Sequence, residues 1–174
     1  MRVLIVLFPG DAAGAVSQRD PVLRFEHFLE SYYFLIEAGA ELVVASPDGG
    51  YPLMKSLRHD RREQGLFMVR FMRDETARET LSDTVRLDQI VAEDFDGAFC
   101  IGATNPSQGS DIYETTIRMS RAFLGAGKPL VFIPGGIGAG MDPREGLLVI
   151  GEGTSAPSQA VRALFGVIHR GGPT

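Results

Sequence analysis

The chain has 174 residues, enough for one well-buried core and few for two, so a single domain spanning 1–174 is expected. Hydrophobic residues at 44% and charged residues at 22% exclude a disordered chain, and a formal charge of -5 argues against a general nucleic-acid binder, which must neutralise phosphates. A single cysteine excludes an internal disulfide and a thiolate metal cluster, and it suits a reducing compartment.

Val3 to Phe8 is a continuous apolar run closed by Pro9 and Gly10, the pattern of a strand buried on both faces of a parallel sheet. The run is too short for a signal peptide or a membrane span, and a cytoplasmic protein is expected. Pro21 is placed to begin a helix in which Phe25, Phe28, Leu29, Tyr32, Tyr33, Leu35 and Ile36 recur at spacings of three and four, with Gly39 to end it. A second strand follows over 41–45, and Ser46-Pro47-Asp48-Gly49-Gly50 makes a turn. Residues 51–94 are less regular; Asp74 to Leu81 reads as helix, and Leu87, Ile90 and Val91 supply packing anchors. Phe95 to Ile101 reads as the third strand, Gly102 to Ser110 as a polar loop, and Asp111 as the N-cap of a helix to about Ala126 that offers Ile112, Thr115, Thr116, Met119, Ala122 and Phe123 for packing. Strands over 129–133 and 147–150 and a helix from Pro157 through Val161, Leu164, Phe165 and Ile168 complete the chain.

Strands alternating with helices imply a doubly wound, mainly parallel α/β sheet with helices on both faces. Ligands in such sheets bind beyond the carboxyl ends of the strands, so the loops after Phe8, Ile101 and Ile133 should meet in space. The last of these is the Gly-rich turn Pro134-Gly135-Gly136-Ile137-Gly138-Ala139-Gly140. A buried strand entering a sharp Gly-rich turn is how α/β enzymes hold up a nucleophile, yet Pro134 at the apex has no nucleophilic atom.

Ser31 to Gly50, Asp94 to Gly102, Gly127-Lys128-Pro129 with the strand after it, and Gly146 to Leu164 together resemble the ThiJ/PfpI superfamily. This is the class I glutamine-amidotransferase-like fold, and the match is to its glyoxalase III and chaperone branch. The resemblance covers most of the chain and implies a flavodoxin-like three-layer sandwich and a homodimer; the Phe/Tyr-rich first helix is either a dimer surface or wholly core. Members of that branch use a Cys at the elbow, a His directly after it and a Glu on the first helix. Along the matched segments these fall at Pro134, Gly135 and His27, with Glu26 one position earlier, so all three are replaced. The family's Gly-Gly-His-Gly loop stands here as Gly102-Ala103-Thr104-Asn105, and only Met141, Asp142, Pro143 and Arg144 separate the elbow helix from the last strand. Cysteine-dependent glyoxalase, deglycase, protease or amidase activity is therefore not carried over.

Other chemistry stays open to these residues. Backbone N–H groups of the turn that follows Pro134, from Gly135 to Gly140, suit a carboxylate, a phosphate or a developing oxyanion, unless the glycines merely let the turn approach the sheet. His27, matching the family's Glu, is either an acid–base group or a satisfied core histidine, and a one-residue shift would exchange it with Glu26. Asp11 is an orienting carboxylate or a turn former. Thr104, Asn105, Ser107 and Gln108 suit a small polar substrate or form a solvated loop, and Tyr113 is a hydrogen-bond donor or a packing aromatic. Cys100, inside a strand, reads as a buried structural thiol. No cofactor is expected, and the histidines at 27, 59 and 169 do not pair at metal-ligand spacing. Residues 55–73 carry six Lys/Arg against two Asp/Glu, either a solvated face or a site for an acidic or phosphorylated partner.

Two functions fit. The first is an enzyme that keeps the pocket and works by proton transfer on a small carbonyl or carboxylate compound, as a lyase, hydratase, isomerase or cyclase. His27, Glu26 or Asp11 then supplies acid–base chemistry, and Gly102, Thr104, Asn105, Pro134, Gly135 and Gly136 line the pocket. The second is a catalytically silent protein that binds a metabolite or a protein partner. The polar character of the replacements favours the enzyme.

Overall fold

The apolar run near the amino terminus becomes the central strand of the sheet, as its lack of polar alternation predicts. In the computed structural model, which describes residues 1–8, 21–52, 65–102, 111–133, 147–149 and 156–171, β1 (Arg2–Leu7) has parallel neighbours on both sides. On one side lie β2 (Glu41–Ser46) and β3 (Val85–Arg86). On the other lie β4 (Gly97–Ile101), β5 (Leu130–Ile133) and β6 (Leu147–Val149). The six strands run in the order β3-β2-β1-β4-β5-β6, all pairs parallel, so the doubly wound parallel sheet expected from the sequence is present.

Side chains alternate across the sheet and divide the core in two. Val3, Ile5 and Leu7 of β1 join Phe99, Ile101, Val131 and Ile133 on one face. That face is covered by α1 (Pro21–Glu37), α2 (Leu66–Arg73), α3 (Glu75–Ser82) and, after α4 (Asp111–Gly125) on the other face, the carboxyl-terminal α5 (Ala156–Gly171); α1, α2, α3 and α5 contribute Phe28, Phe71, Leu81 and Leu164. Leu4, Val6, Cys100 and Phe132 point to the other face, under Phe123 of α4 (Asp111–Gly125) and under Leu87 and Ala92 of two 3-10 turns, Leu87–Gln89 and Ala92–Asp94. The result is the expected three-layer sandwich.

Several expectations need correction. Helix α2 was not legible because it is only eight residues long and its polar side is marked by Arg70 and Arg73 alone, too short a pattern from which to read a period. Strand β3 is two residues long and both are exposed; it is fixed by a buried Ser46–Thr84 hydroxyl pair at 2.7 Å and by the Gly50–Thr84 backbone bridge. The third expected strand begins at Gly97 rather than Phe95, because the 3-10 turn before it is tied down by the Lys128 ammonium, which donates to the Glu93 carbonyl at 2.7 Å and to that of Phe95. Asp111 is the first residue of α4 rather than the cap before it, Ala122 is exposed, and Val91, 51% exposed, is no anchor although Leu87 is. Gly39 does end the first helix: at φ +83° it lets Ala40 N–H reach the Leu35 carbonyl at 3.0 Å and its own N–H reach that of Ile36 at 2.9 Å, the paired bonds of a left-handed helix stop.

The aromatic side chains of α1 are core, which removes them as a dimer surface. Phe25, Phe28, Tyr32 and Tyr33 are all buried, and they continue into Phe71 and Phe67 of α2. Asp74 locks this corner: one carboxylate oxygen caps α3 by accepting from Ala77 N–H at 3.0 Å, and the other accepts from the Tyr33 hydroxyl at 3.2 Å. Burial, and then the Asp74 charge, push the Tyr33 phenol well above its ordinary value, so it stays a donor. Asp74→Ala removes a cap and leaves a buried hydroxyl without its acceptor, an expected loss of about 1–3 kcal/mol in urea unfolding. Tyr33→Phe, which keeps the cap, should cost about 0.5–1.5 kcal/mol. Equal losses from the two substitutions would show that the cap contributes nothing.

Candidate functional site at the strand carboxyl ends

β1, β4 and β5 end level with one another. Leu7 stands opposite Ile101 and Ile101 opposite Ile133; Phe8 N–H then donates to the Ile101 carbonyl at 3.0 Å, and Gly102 N–H to the Ile133 carbonyl at 2.9 Å. Gly102 turns out of the sheet at φ +91°, a conformation costly for any residue with a Cβ. The three exits are therefore fixed side by side. Between β1 and β4 the strand order also reverses, since the chain winds to β2 and β3 on one side and to β5 and β6 on the other. A reversal of this kind leaves a crevice above the carboxyl ends, the usual ligand position of an open α/β sheet.

Helix α1 is the element after β1 and packs on the sheet face that holds Val3, Ile5 and Leu7. Phe25, Phe28 and Leu29 anchor it in the cluster that holds Leu7, Ile101 and Ile133. His27 lies between these anchors and is 2% exposed. Ser31, one helical turn further, is fully buried, and its hydroxyl has no hydrogen-bond partner among the described residues. Glu26 is exposed, and Glu30 is half-buried with its carboxyl pushed above the ordinary carboxylate value, first by burial and then by the Glu26 charge. The helix thus buries an imidazole and a hydroxyl and turns its carboxylates outward, so the sequence alternatives His27 and Glu26 are spatially distinct. Sequence reading missed Ser31, although its spacing of four from His27 put both on one helix face.

Gly102 is buried and directly follows β4. Asp11, Thr104, Asn105, Ser107, Gln108, Pro134, Gly135 and Gly136 lie outside the described residues. Tyr113 is half-buried in the first turn of α4. Cys100 points to the opposite face from α1, is fully buried, and has its thiol pushed far up by burial, so it offers no thiolate to this crevice. Of the basic stretch, Arg70 and Arg73 are described and exposed, whereas Lys55, Arg58, Arg61 and Arg62 lie outside the described residues. Among the described residues no three His, Cys, Asp or Glu side chains gather to hold a metal ion, and no helix is long and apolar enough to cross a membrane.

No family model matches the chain, and no curated protein matches it. Solved structures do. Glyoxalase III from Candida albicans aligns over 98% of this chain and 74% of its own, with TM-score 0.55 and 14% identity. The Rapid Encystment Protein REP24 of Francisella tularensis aligns over 75% of this chain and 57% of its own, with TM-score 0.50 and 13% identity. A further solved chain reaches 22% identity and TM-score 0.51 over 75% of this chain and 55% of its own. The present chain thus spans little more than half the length of the latter two. At these identities the likeness shows the fold alone, a flavodoxin-like three-layer α/β sandwich.

Glu30 yields a pH-dependent test. Its folded-state carboxyl holds the proton more tightly than in the unfolded chain, so stability falls as pH rises from the ordinary carboxylate range through the raised value. Glu30→Gln removes that penalty and the repulsion from Glu26. Thermal melts should show a higher Tm for the variant at pH 7 and no gain at pH 3, where Glu30 is protonated in both states. An equal gain at both pH values would assign the effect to something other than ionisation.

Proposed function

We propose that this chain is a divergent ThiJ/PfpI-type enzyme whose crevice works without cysteine, acting by proton transfer on a small carbonyl or carboxylate compound as a lyase, hydratase, isomerase or cyclase. The observation that carries this reading is the burial of His27 on α1, between Phe25, Phe28 and Leu29, which share a core cluster with Leu7, Ile101 and Ile133. Imidazole exchanges protons near neutral pH, and burial shields the exchange from bulk water. In this reading His27 moves a proton at substrate carbon or oxygen. The Gly135 and Gly136 amides receive the charge that develops on the carbonyl oxygen, Pro134 shapes their turn, and Gly102, Thr104 and Asn105 hold the polar end of the substrate. Glu26 and Asp11 are the remaining proton-transfer candidates. Glu26 is the weaker, because it is exposed. The chain acts in the cytoplasm, without a cofactor, and assembles as a homodimer through a surface other than the buried aromatic face of α1.

The second reading is a silent protein that binds a metabolite or protein partner. It is favoured by the replacement of the family's elbow Cys and the following His by Pro134 and Gly135. One pair of measurements separates the two. If His27 transfers a proton in the rate-limiting step, His27→Ala should lower turnover of a converted carbonyl substrate by about two to four orders of magnitude with the thermal melt preserved. His27→Gln, which keeps a hydrogen-bonding side chain of similar length, should be equally inactive. Full activity in either variant removes His27 from the mechanism. Binding of small carboxylates with no turnover of any carbonyl compound would favour the silent protein.

A further inference from the structure

Two serine hydroxyls on helices are fully buried with no hydrogen-bond partner among the described residues, Ser31 on α1 and Ser120 on α4. A serine inside a helix has a ready acceptor in the carbonyl of the residue four before it. This chain uses that acceptor elsewhere: in α3 the Thr80 hydroxyl donates to the Thr76 carbonyl at 2.8 Å and the Ser82 hydroxyl to the Arg78 carbonyl at 2.7 Å. Ser31 does not take the corresponding carbonyl, that of His27. A buried hydroxyl kept from both water and the backbone costs stability, so its partner has to be sought among side chains. On a helix the neighbours lie three and four residues away, which for Ser31 are His27, Phe28, Phe34 and Leu35. Of these His27 alone has a polar side chain, and it is 2% exposed on the same helix face.

We propose that Ser31 is the positioning residue of His27, a role that rests on the proton transfer proposed above: the Nδ1–H of the ring donates to Ser31 Oγ, and Nε2 at the ring tip is the nitrogen that takes the proton from substrate. Nδ1 is the ring nitrogen nearer the backbone, and so the one within reach of a hydroxyl one helical turn away. The hydrogen bond made by one ring nitrogen decides which tautomer a neutral imidazole adopts and how its plane is turned. The same contact serves the charged ring. When Nε2 takes up a proton the imidazole becomes a cation, and a hydroxyl oxygen already accepting from Nδ1–H meets that charge without a carboxylate having to be buried. The surroundings make a small neutral acceptor the fitting one, since Phe25, Phe28, Leu29 and Leu35 of the same helix are all core residues. The carboxylate of Glu26 lies on an exposed side of the helix and cannot take this place.

The test is the tautomer of His27, read from long-range proton–nitrogen correlation spectra of the full, isotope-labelled chain at a pH where the ring is neutral. The His27 signals are assigned by their loss in His27→Gln. The wild type is expected to show His27 in the Nδ1–H form. Ser31→Ala and the nearly isosteric Ser31→Cys should both move it toward the Nε2–H form, while the signals of His169, exposed on α5, stay in place. Ser120→Ala removes the other buried hydroxyl, on the opposite side of the sheet, and should leave the His27 signals where they are. Ser31→Ala should also lower the melting temperature, because it takes the acceptor from a buried N–H. A wild-type His27 in the Nε2–H form overturns the proposal, as do His27 signals that the two Ser31 variants leave unchanged. So does a higher melting temperature in Ser31→Ala, which would mark the hydroxyl as an unsatisfied group that the fold tolerates. No substrate enters the measurement, so the pairing can fail while His27→Ala still reveals proton transfer, and the two readings fall separately.

Discussion

The parallel pairing of β1 with β4 is the constraint on which the rest of the molecule depends. Every side chain from Val3 to Leu7 is buried, so β1 must be covered on both faces and paired on both edges. Parallel neighbours require crossover connections, and those place helices on the two faces. Because the strand order reverses between β1 and β4, the same pairing that completes the core also opens a crevice at its carboxyl end. Stability and the candidate site therefore share one piece of backbone: the bonds from Phe8 to Ile101 and from Gly102 to Ile133 are the last rungs of the sheet, at the end where an open α/β sheet takes its ligand.

The helix after β1 carries this arrangement into chemistry. Its apolar anchors leave few rotations open, and the rotation adopted buries His27 and Ser31 while leaving Glu26 in water. A carboxylate at a position this buried would need a charge partner or would take up a proton, whereas an imidazole can remain uncharged. Away from the crevice, the aromatic corner formed by α1 and α2 and fastened by Asp74 fixes α2 against α1. That is why α2 keeps its place although Leu66, Val69 and Met72 are exposed.

Much of the fold was legible because burial on both faces leaves an unbroken apolar run, as at Val3 to Phe8 and Leu130 to Ile133, and because glycine marks the helix stop at Gly39. Helix α2 was not, since eight residues with only Arg70 and Arg73 on the polar side are too short a pattern, and β3 was not, since two exposed residues held by Thr84 and Gly50 carry no strand signature. At the site, the sequence left His27 and Glu26 as alternatives. One residue on a helix is a rotation of about 100°, and only the packing of Phe25, Phe28 and Leu29 settles which of the two is buried. Ser31 escaped notice because a serine among aromatic residues reads as spacing rather than as chemistry. The Gly-rich elbow after Ile133 is legible as a pattern, and its geometry lies outside the described residues.

The most direct measurement is the imidazole NMR spectrum of His27 while small 2-oxo and hydroxy carboxylic acids are titrated into the folded chain. His169, exposed on α5, serves as an internal reference. If the crevice above β1, β4 and β5 is the ligand site, at least one of these acids should shift the His27 ring resonances saturably and leave His169 unmoved. Saturable binding of the acids that leaves His27 silent would place the ligand site elsewhere and contradict this account.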